Sequence, residues 1–279
     1  MGIEEIVFVV IAAVVLLLLA RFVLQWFFGN SLRVLLTDHD NPAVGLATAG
    51  YLFGVIWTVT VLLSIPGRGL WEDILDVLLY GGLGIILLTV VSLLTCRFFL
   101  GLHVRDQLEG RNVSAAVVVA GVYVATSLTY SGALSGEGGG FWILLLFFVL
   151  GQLALLLMTY VFRWLTGYDD VQEIAAGNIA AGLALSGLLM GMGIIVGSAA
   201  AGDFTTLGKS IGGFILSLLA FLIFYPVRQV IVQGLILGGG LSLRAILLDR
   251  EIAQDRNVAA GLMEAVAYVA TALFIIHVA

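Results

Sequence analysis

The stretch Asn178-Ile-Ala-Ala-Gly-Leu-Ala-Leu-Ser-Gly-Leu-Leu-Met-Gly191 matches Asn41-Pro-Ala-Val-Gly-Leu-Ala-Thr-Ala-Gly-Tyr-Leu-Phe-Gly54 without a gap, at 8 of 14 positions. Each begins with asparagine and is then almost wholly apolar, with glycine at Gly45, Gly50 and Gly54 in one and at Gly182, Gly187 and Gly191 in the other. Asparagine starts helices well, because its side-chain oxygen accepts from backbone N–H groups that the first turn leaves without partners. Small residues at helical intervals let helices approach closely in lipid. The two stretches read as the first turns of two matching transmembrane helices.

Working outward, a second pair appears. Asn112 to Thr126 and Asn257 to Thr271 agree at 8 of 15 positions, including Tyr123-Val-Ala-Thr126 beside Tyr268-Val-Ala-Thr271. A membrane-crossing helix needs about 20 mostly apolar residues. Eight stretches meet that need, at approximately 6–28, 43–65, 75–100, 113–134, 141–165, 178–200, 209–236 and 258–278. Barrel strands would alternate in polarity over about 10 residues, whereas Ile6 to Ala20 has no polar residue. The sequence predicts an all-α polytopic membrane protein in which a four-span unit is written twice, over 1–134 and 141–279. Ser135-Gly-Glu-Gly-Gly-Gly140 between them is a flexible linker by composition. Four spans return the chain to its starting side, so two parallel repeats related by a pseudo-twofold axis along the membrane normal are expected.

Composition agrees and excludes other classes. With 61% apolar and 11% charged residues over 279 positions, the chain lacks the roughly 25% of charged residues that coats a soluble domain. The net charge of −6 and a single lysine, Lys209, leave nothing basic for nucleic acid. One cysteine, Cys96, allows no internal disulfide and no cysteine metal cage, and His39, His103 and His277 lie far apart, so neither metal nor cofactor is expected. The first apolar run follows Glu4 and Glu5 rather than a basic region, and reads as a permanent span, not a cleaved signal.

Arginines orient the chain, since Lys and Arg are retained on the cytoplasmic side. Ten of them, from Arg21 and Arg33 to Arg244, Arg250 and Arg256, fall in or beside the connectors after the odd-numbered spans, against Arg68 and Lys209 on the other side. Those connectors are expected in the cytoplasm, with both termini outside. Arg21, Arg97, Arg163 and Arg228 recur near the ends of the odd spans, as snorkelling residues or as partners of connector acids.

Asn41, Asn112, Asn178 and Asn257 begin the four even spans at the cytoplasmic mouth. They read as helix N-caps, and if they converge near an axis they would also form a ring of positive helix ends. The glycines predict an inner layer of even spans and an outer, lipid-facing layer of odd ones. Glu264 lies seven residues past Asn257 inside the last span, at a position that Thr48 occupies in the first hairpin. It reads as an ion or proton site, or as a vestibule acid or structural ion pair. Thr58, Thr60, Thr126, Ser127, Thr129 and the tyrosines Tyr51 and Tyr130 could line a polar path, or bond the carbonyls of their own helices.

The acidic connector followed by Gly-Asn-x-Ala-Ala-Gly, clearest as Glu173-Ile-Ala-Ala-Gly-Asn178-Ile-Ala-Ala-Gly182 and then Ser186-Gly187, resembles the bacterial membrane-protein family known as domain of unknown function number 350. The likeness covers nearly the whole chain as a tandem duplication. The fourth hairpin departs from it, with Arg256 where glycine precedes Asn178 and Val266 where glycine would follow. The resemblance implies a bacterial inner-membrane location and supplies no activity.

No Walker loop, zincin helix or nucleophile elbow is present, and the connectors are too short for a catalytic domain, so an enzyme is not expected. The leading expectation is a channel or transporter for ions or small solutes, with its pathway between the repeats. The alternative is a non-transporting scaffold or stress-response component whose charged connectors bind a cytoplasmic protein. The bilayer is a partner in either case, and self-association into a homo-oligomer is a further expectation.

Overall fold

A computed structural model of the protein describes residues 3–28, 31–65, 69–136, 138–219, 221–236, 238 and 246–278. Arg68, Glu137 and Arg244, and the side chains of Glu4, Glu5 and Arg228, lie outside that description. The principal helices are α1 (Ile3–Phe28), α2 (Pro42–Ser64), α3 (Leu70–Leu94), α4 (Val113–Ser135), α5 (Gly140–Leu165), α6 (Ile179–Ala200), α7 (Leu207–Leu218) and α8 (Val258–Val278). Each marks one of eight segments long and apolar enough to cross a membrane. The protein is a multi-pass membrane protein in contact with lipid.

One span differs from expectation. The seventh, predicted as a single helix over 209–236, is divided: α7 closes at Leu219, a second helix runs over Phe221–Gln229 with Pro226 inside it, and a π turn covers Val230–Ile236. Pro226 has no N–H to offer the Leu222 carbonyl, which weakens the ladder within the second helix and not at the Leu219 break.

The two inner connectors share one backbone device. The short helices Val104–Glu109 and Asp170–Ala175 end with paired bonds, Asn112 N–H to Gln107 and Arg111 N–H to Leu108 in one, Asn178 N–H to Glu173 and Gly177 N–H to Ile174 in the other. This is the Schellman arrangement, which needs a left-handed residue next to its last bond. Arg111 (φ 61°) and Gly177 (φ 77°) supply it, and Asp40 (φ 45°) and Arg256 (φ 51°) hold the equivalent place in the outer hairpins. In those outer hairpins the asparagine N–H reaches one residue further back, Asn41 to Leu35 and Asn257 to Glu251, so Arg256 shares the left-handed backbone of Gly177 in a wider turn.

Packing follows the parity of the spans. α2 packs on α4, α4 on α6 and α6 on α8, while α3 lies against α2 and α4, α5 against α4 and α6, and α7 against α6. The even spans form an open row: among the described residues no comparable packing joins α2 to α8. The pseudo-twofold axis is therefore not confirmed, because one contact step is taken three times in succession instead of closing. The burial gradient agrees, with 72% and 78% of the apolar stretches of α4 and α6 buried but 39% and 50% of those of α2 and α8 at the ends. The odd spans do not enclose the row. A groove of about 480 Å3, with Phe53, Trp57, Leu128, Ile194 and Leu273 in its wall, is lined wholly by the four even spans and the C-cap of α6.

Small residues set the step. A Cβ on Gly50 would fall 2.5 Å from the Cα of Ala120, one on Gly121 3.0 Å from the Cα of Ser186, and one on Gly187 would run into the Cα of Ala265. The glycine lies nine residues after its asparagine each time, and the residue that receives it eight residues after the next asparagine. A Cβ on Gly54 would lie 3.1 Å from Ser127 and Leu88 and one on Gly191 3.0 Å from the Tyr268 carbonyl, and Gly182 lies under Ser114. A Cβ on Gly45 would make only ordinary contact, 3.8 Å to Leu36. Gly45 occupies the place of Gly182 and Gly261, which receive Ser114 and Ala180 from the preceding even span, and among the described residues no even span packs on that side of α2.

Candidate functional site

The four asparagines do more than cap, and they do not converge. Each Oδ1 accepts from the first turn of its own helix: Ala43 and Val44 for Asn41 at 3.0 and 3.2 Å, Ala115 for Asn112 at 3.1 Å, Ala180 and Ala181 for Asn178 at 3.1 and 3.3 Å, and Ala259 and Ala260 for Asn257 at 3.1 and 3.3 Å. In the first three the amide Nδ2 also reaches into the next hairpin, whereas that of Asn257 donates to Glu251 of its own. Asn41 donates to the Leu108 carbonyl at 2.9 Å, Asn112 to Ile174 at 2.9 Å and Asn178 to Ile252 at 2.8 Å. The acceptor is always the backbone of the connector that leads to the next even span. The asparagines are latches strung along the row, so the expected ring of converging helix ends is replaced by a chain of links.

Arginines and acids reinforce these seams. Arg111 donates to the His39 carbonyl of the preceding hairpin, and Arg256 pairs with Glu173 of its predecessor at 3.7 Å. Their charge explains why arginine sits in a left-handed position that would suit glycine: each reaches back across a seam. The Gly167 N–H donates to Asp249 at 3.0 Å.

Asp170 is the buried charge of this layer. It is 5% exposed and pairs with Arg163 at 3.3 Å, while Arg163 also donates to the Phe99 carbonyl at 3.4 Å. Burial pushes the Asp170 carboxyl up to about 6 against the pull of Arg163, with Asp169 and Asp249 adding to the rise. A carboxyl raised in the folded state binds more protons there than in the unfolded chain between about pH 4 and 6, so it stabilises the fold as pH falls through that window. Asp170→Asn is expected to abolish this gain, on the order of 1 to 3 kcal/mol, and to flatten the melting temperature measured between pH 4 and 6.

The intramembrane candidates are not assembled into one site. Thr48 lies on α2 and Glu264, 5% exposed, on α8, at opposite ends of the row. The Thr48 hydroxyl is buried and makes no hydrogen bond among the described residues. Hydroxyls proposed for a polar path mostly bond their own helices: Thr58 to Gly54, Thr60 to Ile56, Ser127 to Val124 and Thr129 to Ala125. The others tie α3 to the row, through Tyr51 with Thr89 at 3.0 Å, Ser92 with Thr126 at 3.2 Å and Tyr130 with the Tyr80 carbonyl at 2.7 Å.

Two features escaped the sequence reading. Gln152, midway along α5 and 6% exposed, makes no side-chain hydrogen bond with the described residues. Its signal was an amide inside an otherwise apolar run. A cavity of about 420 Å3 opens at the loop end, where Asp73, Asp76 and Tyr80 of α3 face Gly138 and Gly139 before α5 and Phe204 after α6. None of the asparagines, Thr48 or Glu264 reaches it.

A family model described as Domain of Unknown Function (DUF350) matches residues 1–134 and again 138–279. No curated protein and no solved structure matches the chain.

Proposed function

The chain belongs to the Domain of Unknown Function (DUF350) family, whose unit it contains twice, and from that premise we propose that it is a non-transporting membrane scaffold whose connector face docks a cytoplasmic protein. The carrying observation is the junction between the repeats, where the sequence had suggested a pathway. There α4 and α6 approach at backbone distance, with Gly121 on Ser186, Gly193 on Ala125 and Gly132 on Gly197. Glycine-mediated backbone contact leaves no width for a hydrated path. The separation of Thr48 from Glu264 adds support.

The connector face has what a docking platform needs. The asparagine latches hold its short helices in fixed register, and Arg33, Asp106, Gln172, Arg250 and Asp255 are exposed on it. The concentration of arginines on this side supports a cytoplasmic orientation in a bacterial inner membrane. A channel is the second reading, favoured by the carboxyl of Glu264 buried on α8.

The experiment is flux in proteoliposomes, under several ion and proton gradients, paired with photo-crosslinkers at Arg250 and Gln172 in cells. The scaffold reading expects no flux above empty liposomes, a discrete cross-linked protein, and loss of that adduct on Arg33→Glu. Flux that Glu264→Gln alters would overturn it.

A further inference from the structure

The row of even spans is built by one step taken three times, and among the described residues α2 and α8 do not pack on each other to close it. Such head-to-tail contacts continue indefinitely unless something stops them. The edges of the row show both the means of continuation and a stop.

At the α2 edge, the receiving positions of the step are small and unfilled. Gly45 corresponds to Gly182 and Gly261, which take up Ser114 and Ala180 from the preceding span, and Ala49 corresponds to Ala120, Ser186 and Ala265, which take up a glycine. Ala49 is exposed and Gly45 only partly covered. In the connector layer, the latch carbonyl belongs to the residue that follows the acceptor of the asparagine N–H: Leu108 after Gln107, Ile174 after Glu173 and Ile252 after Glu251. The Asn41 N–H bonds Leu35, so Leu36 carries the equivalent carbonyl.

At the α8 edge, the presenting side is nearly complete. Asn257 caps its helix like the others, but among the described residues its amide donates only within its own hairpin, to Glu251 at 2.9 Å. Ala259 occupies the place of Ser114 and Ala180, and it is exposed. One residue departs. Where Gly50, Gly121 and Gly187 enter the next span, α8 has Val266, 59% exposed. Even a single Cβ at those glycines falls 2.5 to 3.0 Å or less from the Cα of the receiving residue, so an isopropyl group cannot take the step.

We propose that the α8 and α2 edges are mates, that a second copy of the chain is the occupant each edge is shaped for, and that Val266 is the side chain that keeps copies from joining into an open row. In the joined state Asn257 of one copy latches the Leu36 carbonyl of the next, Ala259 sits on Gly45, and α1 lies in the groove between the copies as α3 and α5 do within the chain.

The test is Val266→Gly in lipid nanodiscs and detergent, read by native mass spectrometry and by disulfide trapping of Ala259→Cys with Gly45→Cys. The unaltered chain is expected as a single copy of 29.6 kDa without intermolecular trapping, and the glycine variant as a ladder at multiples of that mass with trapped pairs. Adding Ala49→Leu to the glycine variant refills the receiving edge and is expected to return single copies. Folding is checked by the melting temperature, which surface replacement at Val266 should leave within a few degrees. A folded glycine variant that stays single, a ladder already trapped with Val266 in place, or a ladder indifferent to Ala49→Leu would each overturn the proposal.

Discussion

Gly187→Val is expected to destabilise the protein by about 3 kcal/mol or more, the upper range for forcing volume into a packed interior. The reason is geometric. The Cβ alone runs into the Cα and carbonyl of Ala265, and the neighbouring atoms are backbone, which cannot rotate away. Relief requires α8 to move off α6, which would also pull the Asn178 latch from Ile252. The chemically opposite change at the corresponding place in α8, Val266→Gly, is expected to cost about 1 kcal/mol or less, the helix-propensity penalty of an exposed glycine. Thermal unfolding in detergent measures both. Equal effects at the two positions would mean that the glycine step does not hold the row.

Removing the Asn178 side chain is expected to have the second largest effect. In Asn178→Ala two capped N–H groups lose their acceptor, and the bonds to Ile252 and to Glu173 at 2.9 Å vanish as well. A cap is worth about 1 kcal/mol and a further internal hydrogen bond about 1, so a loss of roughly 2 to 3 kcal/mol follows. Asn257→Ala should lose only about 1 kcal/mol, because Asn257 latches no further hairpin. Asn178→Asp separates the two roles: the oxygen still caps, but the donor to Ile252 is gone and a charge faces Glu173. Chemical unfolding of the three variants should therefore rank Asn178→Ala and Asn178→Asp well below Asn257→Ala. A uniform loss at both asparagines would reduce the latches to ordinary caps.

The sequence made the spans legible because a long apolar run bounded by charge has few alternative readings in lipid, and the predicted borders lie close to those of α1 to α6 and α8. The seventh span misled for the same reason. Its apolarity continues past Leu219, where the helix closes, and hydropathy carries no sign of that interruption. The asparagines were half legible: capping is local and follows from residue type, whereas the latch acceptors are carbonyls of Leu108, Ile174 and Ile252, which carry no side-chain signature. Glu264 and Thr48 show how repeats can deceive. Equivalent positions were grouped as one candidate site, yet in a row built by repetition equivalent positions are necessarily kept apart. Val266 and Arg256 were visible as departures from the motif, and only their places in the row, at its free edge and at a left-handed turn, give them meaning.

The open row is most directly tested by distances between spin labels at the exposed connector positions Val34, Asp106, Gln172 and Arg250, one in each hairpin, taken in pairs by pulsed electron resonance on the single chain. Three neighbouring pairs, 34 with 106, 106 with 172 and 172 with 250, should give similar short separations, and 34 with 250 should give the longest of all. A separation between 34 and 250 equal to that of the neighbours would mean that the even spans close around an axis, and would contradict this arrangement.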